Sequence, residues 1–149
     1  MNFAEVTLTL NERQDIEKLL SQSQKDYLEL EDLWQMMDMT WDKLGCDNKN
    51  LDCEKIELFY AHPIWILNGL FIEQDVTSMS HRQAISKWIS HHRNIIQSVI
   101  DYGGGFGTLA RLISENEEDL VVDIFEPCPS EIAIRSILTY PNTNFVKFL

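Results

Sequence analysis

The segment between residues 97 and 126 constrains the fold of this 149-residue chain more than any other. Gln97-Ser98-Val99-Ile100-Asp101 is a short apolar run that leads directly into Gly103-Gly104-Gly105-Phe106-Gly107. Thr108-Leu109-Ala110-Arg111-Leu112-Ile113 then has the spacing of a helix, and a second apolar run follows at 120–125. The alternation continues with a helical stretch at 130–138 and the start of a third apolar run at 144–149. Strands that alternate with helices of this length need crossover connections, so the strands must run parallel. The fold class that follows is α/β, with residues 95–149 supplying the first β-α-β-α-β units of a parallel sheet.

Before residue 95 the period is helical, which defines an N-terminal region at 1–94. Thr9-Leu10-Asn11-Glu12 reads as a capping box. The apolar residues after it, from Ile16 through Leu33 to Met37, recur at three- and four-residue steps and predict one long amphipathic helix. Gly45 and the polar residues after it should end that helix. A second helix is expected from Asp52, kinked or restarted at Pro63, and a third from a capping box at Ser80-His81-Arg82-Gln83. Ile64–Phe71 is too apolar for a surface face, and the four tryptophans, Trp34, Trp41, Trp65 and Trp88, are expected in the helical core.

Twelve basic residues against twenty-four acidic ones give a net charge of -12. Such a surface repels a phosphate backbone, so nucleic acid is not an expected partner. No apolar run is long enough for a membrane span, and the first residues carry no secretory pattern. Cys46, Cys53 and Cys128 form no C-x-x-C pair, and the four histidines lack metal-ligand spacing. The expectation is a soluble, cytoplasmic protein without a metal site.

The glycine run carries the chemistry. Glycines between a strand and a helix permit positive φ and close backbone approach to a ligand, and the helix start offers free N–H groups. Glu126 stands nineteen residues after Gly107, at the end of the second apolar run. A carboxylate there can accept hydrogen bonds from the two hydroxyls of an adenosine ribose. Two ligands fit this arrangement. Gly105-Phe106-Gly107-Thr108-Leu109-Ala110 satisfies the dinucleotide pattern G-x-G-x-x-A, whereas Asp101 with Gly103, Gly105 and Gly107 satisfies D-x-G-x-G-x-G. Charge separates them, because Asp101 would repel a pyrophosphate but attract the sulfonium and amino group of S-adenosyl-L-methionine.

At these residues the sequence resembles the class I S-adenosylmethionine-dependent methyltransferases. The stretch from Val99 to Gly107 looks like the first motif of that family, and Ile124-Phe125-Glu126-Pro127 looks like its second-strand motif. The resemblance covers roughly residues 95–149 and implies a partial Rossmann-like domain. It implies that Gly103, Gly105 and Gly107 line S-adenosyl-L-methionine, that Asp101 reaches its methionine end, and that Glu126 holds its ribose. A family member has seven strands, whereas three are expected here, in the spatial order 3-2-1. The positions that would carry the adenine contact after the third strand and the substrate motif after the fourth are missing. No catalytic residue is therefore assigned.

The expected function is the cofactor-binding part of a methyltransferase for a small molecule such as a sugar or metabolite, present as a fragment that is inactive alone. The alternatives are a module that binds S-adenosylmethionine or a protein partner without turnover, and an NAD-binding fragment. The first strand would lie at an open edge of the sheet, which predicts self-association.

Overall fold

The computed structural model describes residues 8–23 and 27–146. Mixed helix and a small parallel sheet confirm the α/β class. Contacts divide the chain into two compact units, Met1–Asn68 and Gly69–Leu149. The change of sequence period at 94/95 thus falls inside the second unit.

The first unit contains α1 (Leu10–Leu20), α2 (Leu30–Lys43), α3 (Cys53–Tyr60) and the beginning of α4 (Ile64–Gln74). The Thr9 capping box forms as expected: Glu12 N–H donates to Thr9 Oγ1 at 3.3 Å and Thr9 N–H to Glu12 Oε2 at 2.8 Å. The single long helix does not form. The Ser21 hydroxyl donates to the Lys18 carbonyl at 2.7 Å as α1 ends, and α2 has its own start, where extended Glu29 donates its N–H to Asp32 Oδ2 at 3.0 Å. Side chains that bond locally to the backbone compete with helix continuation, and the apolar period cannot register this. Asp52 Oδ1 caps α3, accepting from Glu54 N–H at 3.1 Å. After Pro63 the chain restarts as α4, whose first amide, at Ile64, donates to His62 Nδ1 at 3.1 Å.

Ile16, Leu33, Ile64 and Leu67 are fully buried in this unit. Phe59 meets Trp41 and Trp65 edge-on, with ring centroids 5.0 and 5.5 Å apart. The expectation of four core tryptophans fails for the other two. Trp34 is 54% exposed and Trp88 56%. Each neighbours the buried residue of its helix, Leu33 or Ile89, and a one-residue step rotates a side chain about 100° away from the packed face.

The second unit contains the rest of α4, then α5 (Val76–His91), β1 (Ser98–Tyr102), α6 (Thr108–Asn116), β2 (Val121–Phe125), α7 (Glu131–Ile137) and β3 (Thr143–Val146). Helix α5 begins earlier than the Ser80 box predicts, because Asp75 Oδ1 accepts Ser78 N–H at 2.6 Å; Ser80 lies inside the helix. The strands are parallel in the order β1-β2-β3, the expected adjacency, and Asp101 pairs in register with Ile124. Among the described residues β1 pairs with β2 alone.

The core of this unit joins Ile89 of α5, Ala110 and Ile113 of α6, Val122 and Ile124 of β2, and Ile137 of α7, with Val99 and Phe145 packed against it. Strand alternation sends the intervening residues to the opposite face. There Ile100 is 53% exposed, Tyr102 73% and Val121 46%. A parallel sheet normally has both faces covered; here the described residues bury one. No helix among the described residues is long and apolar enough to cross a membrane.

Candidate functional site at the glycine loop

The loop between β1 and α6 begins as a continuation of the sheet, with Gly103 N–H donating to the Phe125 carbonyl at 2.8 Å. The chain then takes positive φ at each alternate glycine: 70° at Gly103, 54° at Gly105 and 69° at Gly107. Only glycine adopts these angles without strain. Beyond this shared property the glycines differ. A Cβ at Gly103 or Gly105 would meet nothing within 4 Å, so the backbone there borders open space. A Cβ at Gly107 would lie 2.7 Å from Ile124 Cδ1, so that glycine also lets α6 approach the sheet. Gly104, which the sequence reading did not single out, lacks positive φ. A Cβ there would nonetheless sit 2.8 Å from Asp101 Cγ and from Ile124 Cγ2.

Both flanks of the loop are anchored. Phe106 is buried, its carbonyl accepts the Ser136 hydroxyl at 3.1 Å, and its ring occupies the space that a Cβ on Gly69 would need. At the start of α6 the Thr108 hydroxyl donates to Glu73 Oε1 at 2.8 Å. Arg111 forms an ion pair with the same carboxylate, and the two side chains are 13% and 17% exposed. Gly69 and Glu73 belong to α4, in the stretch read from sequence as a separate helical region. A glycine inside an apolar helix was the available signal, since it costs stability unless something packs closely against it. The Glu73–Arg111 pair has no sequence signature.

The two acids of the sequence reading meet at this loop. Glu126 follows β2 directly, and its Oε2 accepts Gly105 N–H at 3.2 Å. Asp101 projects from β1 under Gly104, on the face of the sheet shared with Ile124. Its Oδ2 is buried and has no hydrogen-bond partner. Burial raises the Asp101 pKa above the ordinary carboxylate range, and the Glu126 charge adds to the rise; Arg82 and the Ala110 backbone pull the other way. The loop thus lies over a carboxylate whose charge is poorly compensated, beside a second carboxylate.

The remaining residues of the motif have structural roles. Tyr102 stacks on Phe125 with ring centroids 4.9 Å apart. Asp123 sits mid-strand, in register with Ile100 and Asn144. No protein-family model matches the chain, and no curated protein matches it in sequence.

Proposed function

We propose that the loop from Asp101 to Gly107, together with Glu126, binds S-adenosyl-L-methionine, and that the chain carries the Rossmann-like cofactor-binding part of a class I methyltransferase. The single observation that carries this reading is the buried Asp101 carboxylate, one oxygen of it without a hydrogen-bond partner, beneath a glycine loop whose backbone borders open space at Gly103 and Gly105. A ligand with positive charge relieves the mutual repulsion of Asp101 and Glu126, and a pyrophosphate adds a third negative group to it. A dinucleotide would also need the α6 amides, and the Ala110 backbone already serves Asp101.

The residues present fit such a cofactor. Gly103 and Gly105 leave room for it at the loop, Glu126 retains lone pairs for ribose hydroxyls beyond its bond to Gly105, and Asp101 can face the amino group or sulfonium. When bound, the cofactor supplies an electrophilic methyl group to a nucleophile on a small molecule. The chain's own part is to hold and orient it, since proximity and alignment account for much of such a displacement. A cytoplasmic setting belongs to the same proposal and is supported by Cys46 and Cys53, which form no disulfide. Self-association along the edge of β1 that no described strand pairs is also part of the proposal.

Calorimetric titration of the chain with S-adenosylhomocysteine and, separately, with NAD tests the reading. S-adenosylhomocysteine should bind and NAD should not. Glu126→Ala should weaken binding by about tenfold or more, the loss of hydrogen bonds to a charged group. Gly105→Arg, which fills the open space at a positive φ, should abolish it. Binding of NAD in place of S-adenosylhomocysteine would transfer the site to a dinucleotide, and heat from neither ligand would refute a nucleoside site.

A further inference from the structure

A second concave site lies wholly within the first unit, away from the glycine motif in sequence. Helices α1 and α2 border a groove of about 600 Å³, within the range of small-molecule sites. Its floor is apolar, formed by Leu19, Met36, Met39 and Leu44. Methionine side chains adapt to ligands of irregular shape. Met39 is 61% exposed, a large apolar surface for a residue lining a groove.

The polar groups are distributed unevenly. Lys43 is the only permanent cation among the described lining residues, and it makes no ion pair with a described residue. His62 stands at the same end and interacts electrostatically with Lys43. Because His62 Nδ1 accepts the Ile64 amide, the neutral ring carries its proton on Nε2, which has no acceptor among the described residues. Burial and the Lys43 charge both hold the imidazole below its ordinary pKa, against a smaller opposing effect of Asp15. The only acid among the described lining residues, Asp32, lies three turns of α2 away and is engaged by the Glu29 amide.

We propose that this groove binds a small amphiphilic monocarboxylate, with its chain along Leu19, Met36, Met39 and Leu44 and its carboxylate between Lys43 Nζ and His62 Nε2–H. One cation and one neutral donor match a single negative charge. A multiply charged anion would be under-compensated there, in a protein of net charge -12. The distance along α2 from Lys43 to Met36 is roughly 10 Å at the helical rise, close to the length of an extended eight-carbon chain. The inference is independent of the cofactor reading, because no residue is shared.

Octanoate, below its micellar concentration, is the probe. The full chain labelled with ¹³C at its methionine methyls provides the readout, with Met79 of α5 as an internal control outside the groove. Octanoate should shift the Met36 and Met39 methyl signals and leave Met79 unchanged. Octan-1-ol and octylamine should bind about tenfold more weakly or worse, since they lack the charge that Lys43 receives. Lys43→Ala should cost octanoate about the same factor without changing the helical circular dichroism, and Lys43→Arg should restore binding. The proposal is overturned if Met36 and Met39 do not respond to millimolar octanoate, if the alcohol or amine binds as well, or if Lys43→Ala retains full affinity.

Discussion

Replacing Gly104 and Gly103 separately by alanine distinguishes the two kinds of glycine in the loop. At Gly104 the new methyl would lie 2.8 Å from Asp101 Cγ, Asp101 Oδ2 and Ile124 Cγ2, against about 3.4 Å for ordinary contact. The neighbours must therefore retreat by about 0.6 Å. Ile124 is 0% exposed at the centre of the core and has nowhere to go. Asp101 can give way only by moving its carboxylate out of the position proposed for cofactor binding. Overpacking of this kind costs about 1–3 kcal/mol, which in a unit of this size lowers the melting temperature by roughly 5–20 °C. At Gly103 the methyl meets nothing within 4 Å, and the cost is that of φ +70° for an L-residue, about 1–2 kcal/mol. Thermal denaturation followed by circular dichroism gives the stabilities, and titration with S-adenosylhomocysteine gives the affinities. Gly104→Ala should melt at or below Gly103→Ala and should lose affinity through Asp101. A Gly104→Ala protein that melts with the wild type and binds normally would refute the packing described for Asp101 and Ile124.

Three further outcomes are expected. Glu73→Gln leaves the Arg111 guanidinium largely buried beside a neutral partner, at a cost of about 3 kcal/mol; urea denaturation that finds no loss would remove Glu73 as an anchor of α6. Asp101 has a raised folded-state pKa, so its contribution favours folding at low pH and is lost as pH rises through that value. Asp101→Asn should therefore raise the ligand-free melting temperature at neutral pH, with the gain shrinking below about pH 4; no gain at neutral pH would contradict the electrostatic account. Finally, sedimentation of the chain should show association that grows with concentration, and Ile100→Lys, which puts a charge on the edge strand, should suppress it. A clean monomer for the unsubstituted chain at high concentration would remove the β1 edge as an interface.

The local parts of this fold were legible because each is dictated by neighbours in sequence. Alternate glycines after an apolar run demand positive φ, and the backbone takes it at Gly103, Gly105 and Gly107. The turn from β2 into Glu126 follows from the length of the apolar run. The tertiary parts were not legible, and the reason differs between residues. Glycine in a sequence does not say whether it is needed for its dihedral angle or for its missing Cβ, so Gly104 and Gly69 carry no sequence mark of the steric contacts that require them. The periodicity of 1–94 is uniformly helical, so it could not reveal that Glu73 and Ser86 bond to α6 across more than twenty residues. The apolar period runs on through both α1 and α2 and carries no mark of the local side-chain bonds that separate them.

These long-range contacts also bear on why the loop would select a cation. Glu73 is neutralised by Arg111 at the start of α6, and Arg82 donates to the Ser78 carbonyl at 3.1 Å within its own helix. Arg111 is thus engaged in an ion pair, while the Arg82 charge still acts on Asp101 and only partly offsets the effect of its burial. Asp101 lies under the glycines with a buried, unbonded oxygen, and Glu126 sits across the same turn. Folding therefore places two carboxylates, only partly offset by Arg82, where Gly103 and Gly105 keep the backbone open. A bound positive group would add to the attraction that Arg82 supplies, whereas a diphosphate would add negative charge beside Asp101 and Glu126. The proposed preference for a sulfonium nucleoside over a dinucleotide accordingly rests on the burial of Asp101 beside Glu126, a feature of the fold, as much as on the acid that opens the glycine motif.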